Sequence, residues 1–149
     1  MTDTLALVLE GVEGRRIVLA SWVTNVAFAA SAVPVALGAE DLEIVAAAVA
    51  LGAFAIGLGV WTVAFSVALA RTARGDDVVV ANLFFLQGSA PRRVQRHLFA
   101  SLAVDVAIVA VTAWQAPFGV LVPMLPVGLI GLWGARHGTF PPRARRSNA

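Results

Sequence analysis

Residues 44–70 read IVAAAVALGAFAIGLGVWTVAFSVALA, without a single charge. At 1.5 Å per residue a helix of that length extends about 40 Å. A hydrocarbon core is about 30 Å thick and is crossed by about 20 apolar residues. A helix apolar on every side for that length belongs in lipid or in the core of a much larger protein. A chain of 149 residues has no such core. The stretch predicts a membrane-spanning helix with length to spare for tilt or for projection beyond the bilayer.

Three more apolar runs flank it: Ile17 to Leu37 (IVLASWVTNVAFAASAVPVAL), Leu98 to Trp114, and Phe118 to Ala135 (FGVLVPMLPVGLIGLWGA). The expected fold is therefore all-α: a polytopic membrane protein forming a single four-transmembrane-helix bundle. Its spans fall at about 17–37, 44–70, 98–114 and 118–135, with a loop at 71–97 and a basic tail at 136–149. The composition agrees, at 59% hydrophobic and 13% charged, where soluble chains carry about a quarter charged residues. Arg15–Arg16 followed by an apolar run and Ala30-Ser31-Ala32 has the outline of a secretory leader. The run continues past that site for a membrane width, so it is read as the first span.

All eleven basic residues are Arg, and in a four-span arrangement every one falls on one side. Arg15 and Arg16 precede the first span. Arg71, Arg74, Arg92, Arg93 and Arg96 lie between the second and third, and Arg136, Arg143, Arg145 and Arg146 follow the fourth. The other side holds Glu40, Asp41 and Glu43 and no basic residue. The positive-inside rule makes the Arg-bearing side cytoplasmic, so both termini are expected there, in a bacterial cytoplasmic (inner) membrane. Arg92, Arg93, Arg96 and Arg136 are the expected contacts for anionic lipid headgroups or an acidic partner. Nucleic acid is not expected, because a reader of it sets its basic residues on a groove-sized element among polar partners.

Two shorter segments complete the chain. Thr4 to Val12 suits a two-turn interfacial helix, and the apolar run Val78 to Leu86 suits a surface segment, a cap on the bundle or a partner-docking site. Ser89 and Pro91 look like the start of the third helix. Pro123 and Pro126 are expected to kink the fourth span. Small residues at four-residue spacing in the second span (Ala46/Ala50, Ala53/Gly57, Ala55/Gly59), with Gly128, Gly131 and Gly134 in the fourth, suit close helix packing. Trp22, Trp114 and Trp133 suit interfacial belts and Trp61 the bundle interior.

Asp105 is the one ionisable residue well inside a predicted span, about 10 Å beyond Leu98. A carboxylate at such depth is costly and is by default functional or tightly paired. Helical spacing puts His97, Ser101, Asp105 and Thr112 on one stripe. At matching depths the first span carries Ser21 and Asn25, and the second Thr62 and Ser66. The expected result is a three-helix polar cluster: Ser21, Ser66 and Ser101 in one layer, then Asn25, Thr62 and Asp105. A protonated Asp105 bonded to Asn25, a proton or cation site, and contact with a second protein are the three readings of it.

No cofactor or metal is expected: there is no cysteine, and His97 and His137 lie at a span edge without a third ligand. No nucleophile–base pair stands out, so catalysis is disfavoured. The segments GSAPRRVQRHLF, PFGVLVPMLP and GLWGARHGTFPPR, between Gly88 and Arg143, resemble small four-span integral membrane proteins of high-GC bacteria. That resemblance implies the four-span fold and no activity. The functional expectation is a non-catalytic accessory or assembly subunit of a larger membrane protein complex, bound to a membrane partner or to copies of itself. A small oligomeric transporter or channel with Asp105 as its proton or cation coupling group is the alternative.

Overall fold

The computed structural model describes residues 14–142. The helix expected at Thr4–Val12 and the basic residues Arg143, Arg145 and Arg146 lie outside them. Five α-helices follow in order: α1 Arg15–Ala36, α2 Glu43–Ala73, the short α3 Val80–Phe84, α4 Arg92–Thr112 and α5 Met124–His137. Turns of 3-10 helix at Glu40–Leu42 and Pro117–Leu121 lead into α2 and α5. Taken with those turns, four helices are long and apolar enough to cross a membrane: Arg15–Ala36, Glu40–Ala73, Arg92–Thr112 and Pro117–His137. No strand forms among the described residues beyond an isolated bridge between Asp76 and Pro142.

Local chemistry explains where helix ends depart from the apolar runs. α4 starts well ahead of Leu98 because Pro91, at φ −58°, sets up the first turn. Ser89 does not cap it; the hydroxyl donates to the carbonyl of Asn82 at 2.6 Å. The fourth segment differs more. Pro123 is the N-cap of α5 and Pro126 sits in its first turn, where a missing N–H costs no hydrogen bond. The two prolines therefore mark a beginning, and the segment is a 3-10 turn followed by an α-helix of 14 residues, not one kinked helix.

The short α5 is the hub. Of its apolar window 61% is buried, against 33% or less for the other three long helices. Its glycines make that possible. A Cβ on Gly128 would stand 2.8 Å from the carbonyl oxygen of Gly57, and one on Gly57 would stand 2.6 Å from the Leu125 nitrogen, so α2 and α5 meet backbone to backbone. Further along, Gly131 lies under the Phe84 ring and Gly134 under the Leu83 carbonyl. The apolar run at 78–86 thereby caps the bundle, with Leu83 and Leu86 buried and Val79, Val80 and Phe85 exposed.

The eight Arg within the described residues gather at one end. Gly14, before α1, touches Trp133 and His137 near the end of α5. Arg71, near the end of α2, donates to the carbonyls of Ala135 (3.2 Å) and Gly138 (2.8 Å), filling acceptors that the end of α5 leaves open. The same guanidinium binds Asp76 at 2.7 Å and lies 4.5 Å from the Phe140 ring centroid. α1 and α4 both set out from this end, so they run parallel, and α2 and α5 return to it. Trp133 is fully buried in the core with Val18, Leu98 and Ile130 rather than in a belt. Trp114, 92% exposed, does stand at the opposite end. Trp61 is half-buried and stacks on Phe65 with ring centroids 5.4 Å apart.

Candidate functional site

The polar layer forms where α1 meets α4. The hydroxyls of Ser21 and Ser101 are 2.6 Å apart, and the Asn25 amide donates to the Ser101 carbonyl at 2.8 Å and to its hydroxyl at 3.2 Å. Ser21, Asn25, Ser101 and Asp105 are all buried. Four-residue spacing on each helix places them on facing stripes, and three interhelical hydrogen bonds close the seam.

Thr62 and Ser66 do not join it. Both are exposed on α2, and their hydroxyls donate along their own helix to the carbonyls of Leu58 and Thr62, each at 2.8 Å. α2 packs on α5 and α1 and shares no extended face with α4, so residues at the right depth point the wrong way. The cluster is built from two helices, not three. Thr112, on the stripe of Asp105, is buried but returns its hydroxyl to Ile108 at 2.7 Å. His97 is half-buried at the start of that stripe.

The seam contains more acceptors than donors. Among the described residues, Asp105 Oδ1, Asp105 Oδ2 and Asn25 Oδ1 are buried oxygens that receive no hydrogen bond; Trp22 Nε1 is a buried donor that makes none. Buried polar groups are almost always bonded, so each exception asks for a physical reason. Ionised Asp105 has only acceptors to offer, whereas its neutral form adds one O–H donor.

Two further surfaces carry recognisable chemistry. Arg92, Arg93, Arg96, His97 and Ala100 line an open groove on the first turns of α4, and Arg136 is exposed in the last turn of α5. Backbone N–H groups at a helix start favour anions, so this groove has the chemistry of a phosphate contact. At the opposite end an apolar cavity of about 270 Å³ lies between Phe28, Val35, Ile44, Pro117 and Phe118, with Glu43 and Gln115 as polar lining. Its walls come from three separate segments, which is why no single run of sequence announced it. Arg71 was likewise legible only as one of many Arg, since its carbonyl partners lie on α5 and just beyond it. No three His, Asp or Glu side chains come together as a metal site among the described residues. Comparison with protein-family models, with curated proteins and with solved structures finds no match to this chain, so its chemistry is read from this geometry.

Proposed function

We propose that the chain is a multi-pass membrane protein with its Arg-bearing end in the cytoplasm, acting as a non-catalytic accessory or assembly subunit of a larger membrane complex. The observation that carries this reading is that α2 has two small-residue faces and uses only one. Ala46, Ala50, Ala53 and Gly57 are buried on the inner face, where Gly57 lets α5 approach to backbone contact. Displaced by two residues, and so by about 200° around the helix, stand Ala48, Gly52, Ala55, Gly59, Thr62 and Ser66, all exposed. A Cβ added at Gly52 or Gly59 would meet nothing within 4 Å. Their alternating spacing of four and three residues is the 3.5-residue period of a left-handed helix pair. Lipid tails match Leu but leave glycine notches poorly filled, so the face suits a partner helix, with the two hydroxyls available as hydrogen-bonding points.

Orientation follows from the gathered Arg and the positive-inside rule. The Arg92–Arg96 groove and Arg136 then face anionic headgroups of a bacterial inner membrane. Affinity capture of the full chain in a mild detergent tests the assembly reading. A membrane protein is expected in constant ratio to it, lost when Gly59→Leu fills the outer face. Recovery of this chain alone, as a monomer, overturns the proposal; recovery of copies of itself in constant ratio makes the complex a homo-oligomer.

A further inference from the structure

We infer that Asp105 and Asn25 form a proton-binding site at the α1–α4 seam, in which the Asp105 carboxyl is held neutral and its O–H supplies the donor that the neighbouring oxygens lack. The inference stands apart from the assembly reading and rests on hydrogen-bond accounting. α1 and α4 run in the same direction, and the Ser21 and Ser101 hydroxyls meet at 2.6 Å. One turn further along both helices, Asn25 and Asp105 stand at the same level. The Asn25 amide has one orientation open to it. Its nitrogen is engaged at 2.8 Å by the Ser101 carbonyl, which can only accept. Asn25 Oδ1 is thereby fixed as an acceptor at the level of the two Asp105 oxygens, and none of the three receives a bond.

No charged group offers an alternative. Of the elements packed against α4, α1 carries only Arg15 and Arg16, in its first turn, and α5 only Arg136 and His137, in its last. The 3-10 turn Pro117–Leu121 carries none. On α4 itself Arg92, Arg93, Arg96 and His97 occupy the start, with His97 about 12 Å from Asp105 along the axis. A metal cation is a poorer occupant than a proton, because hard cations take about six or more oxygen ligands and three are unpaired here. The reaction is simple proton transfer from hydronium: carboxylate and hydronium become carboxylic acid and water. With the proton bound, the seam closes without a net charge between the helices. Its release leaves a buried carboxylate that no charged group offsets and so favours parting of α1 from α4.

Infrared spectroscopy of the full chain in an ester-free maltoside detergent at neutral pH tests this directly. A neutral carboxylic-acid band is expected in the wild type, lost in Asp105→Asn and kept in Glu43→Gln. Asn25→Leu is expected to shift the band to higher frequency, because the acid loses its acceptor; this reading holds even if Asp105→Asn folds poorly. Spectra in sodium and in choline buffers are expected to coincide. Absence of the band in the wild type, its persistence in Asp105→Asn, or its disappearance in sodium would each overturn the proposal, the last by giving the oxygens to a cation.

Discussion

Asn25 spends both amide hydrogens' worth of contact on Ser101, at 2.8 Å and 3.2 Å, while the Asp105 oxygens receive no hydrogen bond and its inferred O–H is left to donate. Apolar replacement of either neighbour should therefore weaken the seam. Interhelical hydrogen bonds between membrane helices contribute about 0.6 kcal/mol on average and about 1.7 at most. Asn25→Leu is expected to lower stability in detergent by about 1 kcal/mol, read from the midpoint of unfolding. Asp105→Leu removes the inferred O–H donor and is expected to lower stability by a similar amount, about 0.6–1.7 kcal/mol. A drop of several kcal/mol for Asp105→Leu would instead indicate an ionised carboxylate with a charged partner. At this scale the sequence was informative about depth and silent about rotation. Ser21, Asn25, Ser101 and Asp105 face one another because four-residue steps keep to one stripe. Thr62 and Ser66 obey the same spacing at the same depth yet turn outward, because a helix apolar all round gives no period from which to tell its inner face.

Among elements, α5 combines the shortest length of the four spanning helices with the deepest burial. The length follows from the helix starting only at Pro123, and the burial from glycine, which lets α2 approach at Gly57 and Gly128 and lets α3 lie over Gly131 and Gly134. Gly128→Ala would place a methyl 2.8 Å from the Gly57 carbonyl and is expected to cost about 1–3 kcal/mol, as overpacking does. Gly52→Ala, on the same α2 but with nothing within 4 Å, is expected to be neutral or to stabilise by up to about 1 kcal/mol through helix propensity. Equal effects at the two sites would contradict the close α2–α5 crossing. Four spanning helices were legible from apolar length alone, and the glycines of the fourth were legible as packing residues. The 3-10 entry to α5 was not, because Pro123 can kink a helix or begin one, and tertiary packing decides which.

For the whole molecule, the gathering of the eight described Arg at one end makes the proposed orientation testable. The chain contains no cysteine, so single introduced thiols report position without background. Gln115 lies exposed between α4 and α5, and Gln87 lies exposed between α3 and α4. A membrane-impermeant maleimide is expected to label Gln115→Cys on intact cells and Gln87→Cys only after permeabilisation. The reverse pattern would invert the orientation, and labelling of both from outside would contradict fixed spans.

The central place of α5 also sets a schedule for biogenesis. Chains emerge from the ribosome N-terminus first, so of the four spanning helices the hub is the last to be made. Until it arrives, α1 can meet α4 through Ser21, Asn25 and Ser101 and α2 through Phe28, Ala32, Ala50 and Ala53, but Gly57 of α2 lacks the Leu125 backbone that covers it. A nascent chain stalled before Met124 thus lacks the helix that covers Gly57 and underlies Leu83 and Phe84, so the last packing surface of the bundle is completed only when synthesis reaches α5.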